Sequence, residues 1–460
     1  MTRSSLHFYY FFLVISLRGD GYKMDNHKNK MTLLQLTVLT AVSMMGSGII
    51  MLPAKLGQLG SISILSWLVT AVGAMCLAYA FGQCGMYSQK KGGMGGYTEY
   101  VFGKSGNFIA NFTYGISVVI ADAAMALAAA GYGASLLGIN LTPWEMAMGT
   151  ILILWITTIL NFRGPAGTGR ISSITIWGVI LPCLFLSTAG WIWFSPALYM
   201  ANWNVQNLSL YEAVSQAITM TLWAFLGLET ACANSDAVEN PNKTVPKAIL
   251  GGVFLAAACY IVTTNVMFGI VPAQELANSE APFGYVYSVL LGGTAGKVVV
   301  AMVLINDFGS LIGWQFTVGN VFKAAADAKE FPRIFGWVNS YSAPVAGMII
   351  ITLVQSILAL MTVSPSLIKQ YEILVDLAVV TNVIPYILSM SALDVLMKRE
   401  AGNSWRYSRG LSVVAMIGAI YSIYACYAAG EQAMTGGAIV IFAGWVIYGR
   451  IQNQQYTLLK

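Results

Sequence analysis

Apolar stretches of about 20 residues, the length a helix needs to cross a roughly 30 Å hydrocarbon layer, recur from near Met31 almost to the end of the chain. They fall at 33–57, 62–87, 106–138, 144–161, 171–194, 209–236, 245–271, 284–322, 344–363, 371–397, 411–429 and 433–449. Lipid offers the backbone no hydrogen-bond partners, so each stretch has to satisfy its own N–H and C=O groups, and a helix does that. The expected fold class is therefore an all-α membrane protein of twelve transmembrane helices, with no soluble domain left over. A hydrophobic fraction of 57% against 9% charged residues agrees, because soluble packing could not hide that much apolar surface.

The apolar run Leu6–Leu17 is too short to span and is succeeded by a polar stretch through Lys30. Residues 1–32 are expected to be a cytoplasmic segment, with Met24 the natural start, since the residues after it read as a short basic tail. An even number of spans puts both termini on one side, and basic residues mark the cytoplasmic loops. Lys90, Lys91, Arg163, Arg170, Lys243, Lys247, Lys323, Lys329, Arg333, Lys398, Arg399, Arg406 and Arg409 all fall in loops assigned to the inside, as do the terminal charges. Of 24 basic residues only Lys55, Lys297 and Lys369 fall opposite. The net charge of +5 thus reports topology and gives no reason to expect nucleic-acid binding.

Cys76, Cys84, Cys183, Cys232, Cys259 and Cys426 are scattered through apolar segments without metal-type or disulfide-type spacing. Both histidines, His7 and His27, precede the first span. No metal or cofactor is expected, and carboxylates must carry any proton chemistry.

Two spans carry signs of interruption. The first contains Met44-Met45-Gly46-Ser47-Gly48-Ile49 with Pro53 shortly after, and each glycine costs about 1 kcal/mol relative to alanine inside a helix. Backbone unwound there offers N–H groups to a carboxylate and carbonyls to an ammonium. The alternative is that Gly46 and Gly48 only allow close helix packing. The sixth span contains Trp223-Ala224-Phe225-Leu226-Gly227-Leu228-Glu229, a glycine at membrane depth beside an acid. Interruptions in the first helix of each half point to a transport site.

With these motifs, and with Gly92-Gly93-Met94-Gly95-Gly96-Tyr97-Thr98-Glu99-Tyr100 and Val238-Glu239-Asn240-Pro241, the chain resembles the amino acid/polyamine/organocation (APC) superfamily, within it the basic amino acid/polyamine antiporters, from about Met31 to Arg450. The resemblance implies a LeuT-like five-plus-five inverted repeat, with 33–194 and 209–397 as its halves, two extra C-terminal helices at 411–449, and a cytoplasmic tail at 450–460. It further implies alternating access, exchange of a cationic amino acid for its decarboxylation product, and homodimers. Putrescine and ornithine are the expected pair, with proton-coupled putrescine uptake on the same carboxylate; arginine/agmatine and lysine/cadaverine compete. The expected location is a bacterial inner membrane.

Glu229 is the leading site candidate. An acid deep in a span costs roughly 2.5 to 3.5 kcal/mol on insertion scales, and a cationic amine, or a proton when the site is empty, would neutralise it. The family places a coupling carboxylate there; the structural alternative is hydrogen bonding to neighbouring backbone. Trp223 can cap a cation through its π face, while Trp314 and Tyr114 match family gate positions. Gly46, Ser47 and Gly48 would supply backbone groups. Asp122, two helical turns beyond Tyr114, can border the same cavity, and Asp307 precedes Trp314 by seven residues on one face. These two acids and Ser43 depart from the family pattern, and the acids would favour a dicationic diamine; the alternative is that they are protonated or cap helices. Glu99 either recruits cations or is solvated, and Tyr448 completes the secondary candidates. Asn240 is expected to cap the helix that Pro241 or Pro246 opens.

A cation channel would need a continuous filter, which is not evident. A membrane enzyme would need clustered ligands, a nucleophile elbow or a P-loop, and none is present in the sequence.

Overall fold

The computed structural model describes residues 32–88, 90, 93–164, 168, 171–172, 174–229, 240–364, 366–400 and 408–458. The expectations for residues 1–31, Met24 included, and for Cys232 lie outside them. Among the described residues the secondary structure is helical throughout. In chain order the α-helices are α1 Leu33–Met44, α2 Leu52–Leu59, α3 Ile64–Tyr87, α4 Gly93–Leu137, α5 Pro143–Asn161, α6 Trp177–Thr188, α7 Pro196–Ala201, α8 Leu210–Trp223, α9 Pro241–Phe268, α10 Ala273–Ala277, α11 Pro282–Leu291, α12 Gly293–Asp327, α13 Val345–Met361, α14 Leu367–Glu400, α15 Ser408–Ala428 and α16 Gly430–Leu458.

Three of these helices begin with the same local chemistry. Thr32 with Gln35, Thr142 with Glu145 and Ser209 with Glu212 each form a capping box, the hydroxyl accepting from the third helical N–H while the longer side chain reaches back to the cap N–H. The chain therefore enters α1, α5 and α8 with otherwise orphaned donors satisfied. Eight helices, those within 61–87, 94–137, 143–161, 243–268, 293–327, 367–399, 410–428 and 430–453, are individually long and apolar enough to cross a membrane. The other expected spans correspond to shorter apolar pieces: α1 with α2, α6, α8 and α13.

Several boundaries differ from expectation, each with a local cause. The stretch 284–322 is two helices, because the chain turns at Gly292, whose φ of +89° suits glycine. The third span begins upstream of residue 106: α4 starts at Gly93 and bends at Gly103, where φ is +63°. Asn240 does not cap α9 with its side chain. It sits in the left-handed region, its backbone carbonyl accepts from the N–H groups of Lys243 and Thr244, and Pro241 opens the helix while Pro246 lies inside it. Lys55, expected in an outer loop, is in α2 with its side chain largely covered.

The first and sixth spans are broken as their glycines suggest. Between α1 and α2 runs a single 3-10 turn, Ser47–Ile49, and after Trp223 the chain leaves α-helical geometry for turns through Glu229. The two breaks lie against each other. A Cβ on Gly48 would stand 2.9 Å from the Ala224 Cα, and one on Gly227 would stand 3.2 Å from the Ser43 carbonyl oxygen. Around them pack α4 and α14, which form the most extensive helix pair among the described residues, with α12 against α4 and α3 against α9.

Candidate substrate site

Unwinding exposes backbone groups that have to find partners. In the first break the Tyr132 hydroxyl, from α4, donates to the Ile50 carbonyl at 3.2 Å. In the second, the Gly227 N–H donates to Glu229 Oε2 at 3.2 Å. That bond is possible because Gly227 has a φ of +105°, which folds the chain back toward its own side chain two residues on.

The junction of the breaks is a small cavity of about 50 Å³. Its walls come from Ser43, Met44, Gly46 and Gly48 of the first span, from Tyr114, Ser117, Val118, Ala121 and Met125 of α4, and from Trp223, Leu226, Gly227 and Glu229 of the sixth. Trp314 of α12 and Asn382 of α14 complete it. Among these lining residues there is one acid and no Lys, Arg or His.

Glu229 is held on several sides. The Tyr386 hydroxyl donates to Oε2 at 2.5 Å, and the Tyr114 hydroxyl lies in hydrogen-bonding reach of the same carboxylate. Tyr386 is presented by α14, which carries Pro385 inside it; proline lacks the N–H for the helical bond there and its ring crowds the preceding turn. Tyr114 from α4 and Tyr386 from α14 thus meet over one carboxylate contributed by a third element. The Trp223 indole N–H donates to the Tyr371 hydroxyl at 3.0 Å, tying the end of α8 to the start of α14 on another side of the cavity. Asn382 donates through Nδ2 to Ser117 Oγ at 3.0 Å, while its carbonyl oxygen has no hydrogen-bond partner among the described residues. An apolar-walled cavity with a carboxylate and an unpaired amide oxygen suits an ammonium-bearing solute.

The candidates from sequence divide accordingly. Gly46, Gly48, Tyr114, Trp223, Glu229 and Trp314 converge on the cavity; Ser47 lies in the 3-10 turn between two of them. Asp122 does not join its wall. It is buried, accepts from Gln355 Nε2 at 3.0 Å, and Gln355 in turn accepts from Gln315 at 3.3 Å, so it belongs to a polar chain linking α4, α13 and α12. Asp307 shares a helical stripe with Trp314 but stands about 10 Å along the axis from it. It is buried near Tyr132 and Tyr371, with neither carboxylate oxygen hydrogen-bonded to a described residue.

Glu99 is at one end of the bundle, paired with Lys90 at 2.8 Å and accepting from Asn107 Nδ2 at 2.8 Å. Burial, and then the Glu99 charge, push the nearby Glu330 carboxyl above its usual range, with Lys104 opposing. Tyr448 packs on Phe108, centroids 5.0 Å apart, in a cluster that reaches the cavity wall at Val118, and does not itself line the cavity. Asn382, Tyr386, Tyr371 and Ser117 join the site without having been expected from sequence. The signal for Asn382 was available: an amide inside the apolar run of α14, a position that demands partners.

The amino acid permease family matches residues 31–449. The chain is 58% identical to the Putrescine transporter PotE of Haemophilus influenzae over 437 residues, which cover 95% of this chain and all of that protein. It is 56% identical to the Putrescine transporter PotE of Escherichia coli K12 over 423 residues, 92% of this chain and 96% of that one. The Cadaverine/lysine antiporter of Escherichia coli K12 is 30% identical over 433 residues, 93% of this chain and 96% of that protein. These relatives carry the names of transporters, not of enzymes. A family match over nearly the whole helical region, joined to apolar helices and a cavity between two broken spans, settles the class: the chain is a multi-pass membrane transporter that belongs to the amino acid permease family.

Proposed function

We propose that the chain exchanges putrescine for ornithine, binding each in the cavity between the two broken spans and presenting it alternately to either face of a bacterial inner membrane. In this reading α1 with α2, α6, α8 and α13 complete twelve crossings, residues 33–194 and 209–397 are inverted halves, and the basic loops and both termini face the cytoplasm. The relatives' names supply the substrate class.

The observation that carries the reading is Glu229, the sole acid among the described cavity-lining residues, with no basic side chain lining the cavity beside it. Its charge is left for the passenger to balance. A diamine would place one ammonium at Glu229 and the other against the Asn382 carbonyl oxygen and the Ser43 carbonyl. Ornithine would keep the side-chain ammonium at Glu229 and turn its carboxylate toward the N–H groups at Gly46–Gly48, where an unwound segment favours an anion. One cavity then serves both partners, and exchange results if the loaded forms reorient readily and the empty one does not. Trp223 with Tyr371, and Tyr114 with Tyr386, lie on different sides of the cavity and act as its gates.

Purified protein in vesicles preloaded with ornithine, lysine, arginine or nothing tests this. Internal ornithine is expected to accelerate labelled putrescine uptake about tenfold over empty vesicles, and more than lysine or arginine does. Uptake indifferent to internal solute would remove obligatory exchange; the fastest exchange with lysine against cadaverine would move the substrate assignment to the other named antiporter.

A further inference from the structure

Lys55 is out of place if basic residues serve only to mark loops. It lies on α2 with its side chain 15% exposed, and its ammonium is 3.0 Å from the Glu372 carboxylate of α14, itself 22% exposed. Asp376, one turn further along α14, is within electrostatic reach of both Lys55 and Glu372, and the Thr219 hydroxyl of α8 lies at its carboxylate. Thr219 is one helical turn before Trp223, and Glu372 directly succeeds Tyr371. Thr219 and Glu372 thus stand one turn from Trp223 and next to Tyr371 along their helices, the two residues whose hydrogen bond ties α8 to α14 at the cavity.

On the other side, Lys55 Nζ donates to Gln58 Oε1 at 3.4 Å. Gln58 helps line a second opening of about 300 Å³, whose polar groups include Ser279, Glu280, Ser364 and Gln370. Polar groups thus lead from this opening through Gln58 and Lys55 to Glu372, and the cation among them is part of the protein. Lys55 occupies the position that an amine following the same groups would take, since a primary ammonium set against a carboxylate is what an alkyl diamine also offers.

We propose that Lys55 is a tethered ammonium latch. It closes the α2 side of the cavity by neutralising Glu372 and Asp376, and it yields those carboxylates to an incoming amine, so that the pair forms a transient cation site ahead of Glu229. The displacement step rests on the transport reading above; the closure step does not. While Lys55 is seated, α2, α8 and α14 are held together at this end. When an amine takes its place, the pull on α2 is released at the moment a passenger has arrived, and opening is coupled to occupancy. A lysine here also sets a threshold: a solute with no cation cannot compete for the two acids.

Two measurements in sealed vesicles of known orientation test the latch. The first needs no substrate. In a chain whose native cysteines are replaced and Ala121 in the cavity wall is changed to cysteine, a membrane-impermeant thiol reagent is applied from the α2 side. Lys55→Gln and Glu372→Gln are each expected to speed labelling at least about fivefold, with Lys55→Arg and the charge exchange Lys55→Glu with Glu372→Lys returning it to within about twofold of the parent. Parent-like labelling in the single variants, or a charge exchange as reactive as either one, would overturn the latch. The second measurement is the KM for putrescine from each side. Lys55→Gln is expected to lower KM on the α2 side about fivefold and leave the other side within about twofold, because a competitor has been removed from one approach only. Equal changes on both sides, or none, would overturn the displacement step. A parent protein that fails to exchange putrescine at all would defeat the transport reading instead, and the labelling result would stand apart from it.

Discussion

The cavity's chemistry comes down to a few polar atoms in an apolar wall, and their differing states of satisfaction separate the proposed substrate contacts from scaffold. Glu229 Oε2 is well supplied with donors from Tyr386 and the Gly227 N–H; these orient the carboxylate without cancelling its charge. Asn382 is the opposite case. Its Nδ2 is used on Ser117 and its carbonyl oxygen is left over, and a buried acceptor without a partner costs about 1–3 kcal/mol. A ligand ammonium removes that cost. Asn382→Leu is therefore expected to raise the KM for putrescine about five- to fiftyfold while expression and detergent stability hold, measured by exchange in vesicles; an unchanged KM would take Asn382 out of the site. Six candidates named from residue type and position, an acid, two glycines, a tyrosine and two tryptophans, fall on the cavity wall. Asp122 was legible as a buried acid and still misassigned, because helical angle alone cannot tell a cavity from a neighbouring helix that offers Gln355. The tyrosines from α14 escaped for a related reason, since nothing in the sequence says that Tyr386 will meet Glu229.

At the level of elements, the glycines do separate work. Gly227 supplies a backbone angle, and Gly48 supplies clearance between two unwound segments. That distinction yields an expectation for Gly48→Ala. A methyl group 2.9 Å from the Ala224 Cα pushes backbone against backbone, and overpacking of this kind costs typically about 1–3 kcal/mol. The substitution is expected to lower the detergent melting temperature by several degrees and to slow exchange more than it raises KM, because on the proposed alternating access the breaks move past each other in each cycle. Wild-type exchange and stability would mean that the two segments approach less closely. The sequence announced both breaks through their glycines but misjudged the span around Gly292 and the start of α4. An apolar profile records burial, and a glycine turn between two apolar helices leaves that profile unchanged. Capping boxes were equally readable in advance, since Thr142 with Glu145 and Ser209 with Glu212 stand in the sequence at the spacing the motif needs.

Across the whole molecule, the arrangement is a helical shell around one site where the helices are incomplete. Long helices such as α12, α14 and the part of α4 beyond Gly103 supply the walls, and the interrupted spans supply the polar groups that lipid would otherwise forbid. The buried acids divide along the same constraint: Glu229 sits in the cavity, Asp122 is tied into the scaffold by Gln355, and Asp307 is buried with neither oxygen hydrogen-bonded to a described residue. The central claim is that the Glu229 charge is balanced by the passenger. Equilibrium binding of labelled putrescine to the purified protein, with Glu229→Gln beside it, addresses that claim with fewest intervening steps. Hydrogen bonds to charged groups contribute about 1.5–3 kcal/mol, so the variant is expected to keep its fold and melting behaviour while binding putrescine roughly 10- to 100-fold more weakly. Equal affinity in a folded Glu229→Gln protein would contradict the account.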